Sequence, residues 1–153
     1  MRLAHVAAAL ALAVTCGAGS VAAQSIEDTV AARQGQFKLF AAHVGPLVGM
    51  AQGNIEYDAE TAQIAADNLA RLTGLDQTFL WPEGSDNMSI DGTRALPVIW
   101  DDPDGFVARL TALQEGTAAM QAAAGDGLDA LRGALGGVGG ACSACHEDFR
   151  APN

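Results

Sequence analysis

The sequence predicts an all-α fold, an antiparallel four-helix bundle. Three observations point to it. Apolar residues recur at steps of three and four over four separate stretches, the spacing of one helix face. No stretch alternates apolar and polar residues as a half-buried strand would. Two joints between the stretches are short and one is long, which suits neighbouring antiparallel helices with a single crossover.

The first stretch starts at Ile26 and places Val30, Phe37, Phe40, Val44 and Leu47 on one stripe, with Arg33 in the gap. Ser25 can cap it, Glu27 and Asp28 favour its positive end, and Pro46 is expected to kink or end it. The second takes Asp58 as N-cap, runs through Ala62, Ala65, Leu69 and Leu72, and stops at Gly74. Residues 75–100 have no clean period and carry Pro82, Gly84, Gly92 and Pro97. A joint of that length should be pinned to the body, and Phe79, Trp81, Ile90 and Trp100 are the expected pins. The third helix follows Asp101, tolerates Pro103 in its first turn and carries the stripe Phe106, Leu110, Leu113, Thr117 and Met120. The fourth begins after Asp126, with Leu128, Leu131, Leu135, Val138, Cys142, Cys145 and Phe149 in the same rhythm.

The chain opens with Arg2, an apolar run from Leu3 to Val14, and small residues leading to Val21-Ala22-Ala23. That is an export leader with its cleavage site, too short to span a bilayer, although an uncleaved anchor competes with it. Residues 1–23 are read as a cleaved signal peptide and 24–153 as one domain. Losing the leader removes Cys16 and Arg2, so the formal charge of −10 becomes −11. Such a chain repels nucleic acid and anionic lipid, and a protein partner should present a basic patch; the acidity also serves solubility.

Residues 142–146 read Cys142-Ser143-Ala144-Cys145-His146, with seven residues after them. C-x-x-C-H is the attachment signature of c-type haem: two thiols one turn apart add to the vinyl groups, and the histidine meets the iron. A zinc site is the competing reading, but it needs further ligands near a second cysteine pair, and 24–153 has no other cysteine. Neither remains available for a disulfide once haem takes both. Residues 147–153 contain no His, Met or Cys, so any sixth iron ligand must lie upstream. Gly133, Gly136, Gly137, Gly139 and Gly140 sit within the fourth helix, each costing up to about 1 kcal/mol against Ala. A flat macrocycle lying against the backbone would account for some of them; a helix break near 136–140 is the alternative.

The C-terminal motif with Phe149-Arg150 after it, the leading helix with Arg33-Gln34, and the crossover patterns W-P-x-G-S and A-x-P-x-I-W resemble the cytochrome c′ family. This is the high-spin branch of the class II cytochromes c, and the resemblance covers nearly all of 25–150. It implies a periplasmic four-helix bundle, commonly a homodimer, holding one covalent haem c per chain. It implies five-coordinate iron on His146, with Cys142 and Cys145 as attachment sites and Arg33 and Gln34 beside the propionates. Phe37 matches the apolar residue over the open iron face, Arg150 the basic residue beside the proximal histidine, and Arg94 lies where the crossover passes the haem edge. The low-spin branch puts a Met on the first helix, and this chain departs from that.

The residues support these roles independently. Arg33 and Phe37 are one turn apart, as are His146 and Arg150, so each pair can face one ligand. Competing readings are a surface arginine at 33, plain core at 37 and a solvated helix-end arginine at 150. Met50 and His43 fall too far along or around the first helix from Phe37, Met120 suits core filling, and Met88 in the crossover stays open. An apolar open face favours small neutral diatomics, nitric oxide and carbon monoxide, over anions. The expected function is gas binding, with electron transfer open and the redox partner unnamed. The rivals are a six-coordinate electron carrier using Met88 or Met120, and a nitric oxide-reducing enzyme or peroxidase; a peroxidase would want a distal acid–base pair that Phe37 does not supply.

Overall fold

The computed structural model describes residues 25–152. The expected leader, 1–23, lies outside the described residues. Four long helices, α1 (Ile26–Ala51), α2 (Ala59–Thr73), α4 (Pro103–Ala123) and α5 (Leu128–Phe149), form the bundle, and a four-residue helix α3 (Val98–Asp101) sits in the crossover. Around the bundle α1 packs on α2 and α5, and α4 packs on α2 and α5, so sequence neighbours run antiparallel. None of the described helices is long and apolar enough to cross a membrane.

The starts of the helices follow from local chemistry. Ser25 accepts from the Asp28 N–H, Asp58 from Thr61 and Asp102 from Gly105, each filling an otherwise unpaired amide of the first turn. Pro103 is the first residue of α4, where its missing N–H costs nothing. Of the two outcomes expected at Pro46, a helix end is corrected. Pro46 does not end α1, which runs on to Ala51, because the next turn buries Leu47 and Met50 in the core and outweighs one lost backbone bond.

The main core lies toward the end of the bundle where α1 meets α2. It joins Leu47, Met50, Ala62, Ala66, Leu69, Met120, Leu131 and Val138. Tyr57 closes this end: its hydroxyl donates to the Ala124 carbonyl and accepts from the Gly127 N–H, both at 2.9 Å, tying the α1–α2 joint to the α4–α5 turn. Gly127 has φ +113°, a conformation that side chains rarely adopt. The glycines of α5 correct a second expectation. The helix is unbroken, and none of the five lines the cleft described below. The close approach of α4 to α5 depends instead on Gly116, where a Cβ would lie 3.1 Å from the Gly137 carbonyl carbon, whereas a Cβ on Gly137 would meet Gly116 Cα at an ordinary 3.9 Å. Gly133, Gly136, Gly139 and Gly140 face open space.

The crossover is pinned by a different set than expected. Trp81 and Trp100 pack with Ile99, Phe106 and Phe149 in a second, smaller cluster, and Ile90 is half-buried. Phe79 is 84 % exposed and pins nothing, because the turn at 76–80 directs it outward.

Candidate haem site

A cleft of about 600 Å³ opens between α1, the crossover, α4 and the end of α5. That lies within the range of roughly 300–1,000 Å³ common for cofactor pockets. Every residue singled out from the sequence lines it: Arg33, Gln34, Phe37, Arg94, Cys142, Cys145, His146 and Arg150. What brings them together is antiparallel packing, which sets the first half of α1 against the last turns of α5.

The α5 wall carries the ligating groups. Cys142, Cys145 and His146 are all half-buried, and both thiols are free. Burial pushes both thiols up, and for Cys145 the neighbouring Cys142 adds to it. Burial, then Arg150 and Arg94, push the His146 imidazole down from its usual 6.5. These effects favour the neutral imidazole, whose lone pair an iron ligand needs. The lining contains no methionine and no second histidine. Met120 and Met50 are buried in the main core, and Met88 is 81 % exposed in the crossover. None of the three touches the cleft.

Opposite stands an aromatic wall. Phe37 meets Phe40 and Trp81 edge-on at 5.5 and 6.4 Å, Trp81 meets Phe106 at 4.7 Å, and Phe106 meets Phe149 at 5.4 Å. Sequence reasoning put Phe40 and Phe106 on core stripes and Trp81 among the pins, and did not see that they form one surface. The signal present was the helical phase of Phe40 with Phe37; the missing fact was where the crossover and α4 would set Trp81 and Phe106 against them.

The charges of the lining are one-sided. Arg33, Lys38, Arg94, Arg109 and Arg150 line the cleft, and no acidic residue does. Arg109 is bonded to Asp148 at 2.7 Å. Arg33 is only 2 % exposed and lies 4.2 Å above the Trp81 ring. Its two terminal nitrogens donate to Leu80 O, Ser85 Oγ, Ser85 O and Thr93 Oγ1. Their four hydrogens are thus committed to the crossover, and only the Nε–H remains. Burial pushes this guanidinium down to about 10, and it has no carboxylate partner among the described residues. Gln34 reaches the Gly92 carbonyl at 2.6 Å, and the Arg94 guanidinium grips the Ala151 carbonyl. A flat apolar ring bearing two carboxylates fits this donor set: aromatic faces for its body, thiols and imidazole on one wall, and cations without acids at its edge.

The sequence model for cytochrome C′ matches residues 28–150. The chain belongs to the cytochrome c′ family. The cytochrome c′ of Cereibacter sphaeroides is 44 % identical over 128 residues, covering 84 % of this chain and 86 % of that one. The solved cytochrome c′ of Rhodobacter spheriodes superposes with a TM-score of 0.83 at 42 % identity, covering 85 % of this chain and all of that one. A nitric oxide complex of a cytochrome c prime variant from Alcaligenes xylosoxidans superposes at 0.73 with 33 % identity, covering 84 % and 98 %. As a member of the family the chain carries covalent haem c, and the four-helix bundle is the family's fold.

Proposed function

We propose that the chain is a periplasmic haem protein that binds nitric oxide and carbon monoxide at a five-coordinate iron, with electron transfer as an accessory property. The observation that carries this reading is the lining of the cleft: one imidazole, two thiols and no other ligating side chain. When bound, haem c would supply a redox-active iron able to take a diatomic ligand. Cys142 and Cys145 would hold the macrocycle by thioethers, and His146 would ligate the iron. Phe37 and its aromatic neighbours shape an apolar opposite face, which withholds hydrogen bonds from water and anions and leaves small neutral gases favoured. Arg33 and Gln34 provide positive and amide groups near the propionate edge, with Arg33 contributing mainly its charge and its Nε–H. Arg150 stands beside His146. The relative that forms a nitric oxide complex supports the ligand class. The absence of an acid–base pair among the aromatic residues weighs against peroxide cleavage.

The leader at 1–23 is read as cleaved near Ala23, with haem attached after export. A homodimer is proposed with it. Ala32, Gly35, Leu39, Leu72, Leu75 and Phe79 form an open, mostly apolar surface along α1 and α2 on which a second copy could be centred.

Denaturing mass spectrometry of exported protein should give a chain starting near residue 24 plus one haem, and a mature mass without haem would remove the central claim. The reduced protein should show one broad Soret band. Sharp split visible bands would establish the six-coordinate carrier instead. Phe37→Met should move the wild-type spectrum toward that low-spin form by delivering a thioether to the open face.

A further inference from the structure

The end of α5 that carries His146 does not cap itself. The helix stops at Phe149, Arg150 follows in extended conformation (φ −126°, ψ 127°), and no glycine turns the chain back to pair the last carbonyls. The crossover closes this end instead. Leu96 N–H donates to Phe149 O at 3.1 Å, and Ala151 N–H donates to Arg94 O at 2.9 Å, forming an antiparallel bridge between Ala95 and Arg150. The Arg94 side chain adds a second grip, since its Nε and one terminal nitrogen both donate to Ala151 O. The strap is itself anchored at the other wall: Thr93 Oγ1 accepts from Ala95 N–H and from Arg33, and Gln34 holds Gly92.

We infer that Arg94 is a positioning residue for the proximal histidine, acting through this strap. His146 lies within the last turn of α5, three residues from Phe149, and helix ends fray unless their carbonyls are paired. Arg94 pairs the tail, so its charge holds the helix end that aims the imidazole. Because Thr93 and Arg94 are adjacent, the same strap joins α1, which carries Phe37, to the wall that carries His146. A displacement on one side of the cleft is passed to the other through four residues of backbone. The positioning role rests on His146 being the iron ligand; the strap itself does not.

Two readouts test it on the holoprotein. Amide exchange at Leu96 and Ala151 reports the strap whatever binds the iron, and the iron–histidine stretch of the ferrous protein reports the imidazole. Arg94→Ala should speed exchange at both amides by about tenfold or more, the loss expected for hydrogen bonds made by a charged group. It should also broaden or shift the iron–histidine band, with Arg94→Lys restoring both in part. Ending the chain after Arg150, which removes the Ala151 carbonyl that accepts from Arg94 together with the Ala151 N–H, should reproduce the faster exchange at Leu96 and the change in the band, and serves if Arg94→Ala does not accumulate. Unchanged exchange overturns the strap, and faster exchange with an unmoved band overturns the positioning role. A wild-type protein without an iron–histidine band overturns the ligand reading instead, and exchange then still decides the strap.

Discussion

The two ends of the bundle are built differently. At the closed end, Leu47, Leu69, Met120 and Leu131 are almost wholly buried, Tyr57 and Gln63 pair polar groups of the α4–α5 turn, and Gln121 donates to Asp67 on α2. At the cleft end the cluster is small, Phe37 is 38 % exposed, and a buried guanidinium takes the place of a core side chain. The buried polar side-chain atoms without partners among the described residues, Trp81 Nε1 and Asn87 Oδ1, both belong to the crossover at this end. The closed end is finished by protein alone. The cleft end spends its aromatic surface on lining a cavity, and its stability is therefore tied to what fills that cavity.

That contrast can be broken most directly by removing the attachment points. Cys142→Ala with Cys145→Ala should lower accumulation and helical circular dichroism. Amide exchange should rise in the first half of α1 and the last turns of α5 while staying slow around Leu69 and Leu131. Equal loss at both ends, or an unchanged thermal midpoint, would contradict the asymmetry. Next in size is Leu131→Ala at the closed end, expected to cost about 2–5 kcal/mol in denaturant unfolding, because a fully buried leucine leaves a cavity there. Tyr57→Phe should cost about 1–2 kcal/mol, since the Ala124 carbonyl and Gly127 N–H lose their shared partner.

Phe37→Ala sharpens the comparison from the other side. It should cost about 1–2 kcal/mol, less than a fully buried ring, yet raise the carbon monoxide association rate measured by flash photolysis. Unaltered kinetics would make Phe37 ordinary packing. The smallest effect is a pH dependence within the crossover. Ser89, foremost through its hydroxyl, holds the Asp86 carboxyl below its usual 3.8. A depressed carboxylate contributes stability that is present above 3.8 and is lost as pH falls through the lower folded value. The thermal midpoints of wild type and Asp86→Asn should therefore differ at neutral pH and converge in strong acid.

Much of this was legible from residue order. The four helices, their N-caps at Ser25 and Asp58 and the start of α4 at Pro103 depend on local spacing and local donors, which sequence displays directly. So does the attachment motif, whose five residues lie within two turns of one helix. That α1 continues past Pro46 was not legible, because the energy that carries it comes from Leu47 and Met50 meeting partners on other helices. The α5 glycines were misjudged because which face of a helix meets a neighbour depends on how the bundle is wound.

Arg33 shows the division within a single residue. Its place on the cleft stripe follows from helical phase with Phe37, and the sequence by itself determined that. Its commitment to Ser85 and Thr93 required a crossover some fifty residues away to fold back over α1. Arg94 differs in the same sense: order placed it in the crossover, and tertiary structure turned its guanidinium to the chain end. Short-range periodicity decides which residues share a face. Only the closure of a long, aperiodic segment, whose geometry is set by the surfaces it lands on, decides what those residues hold.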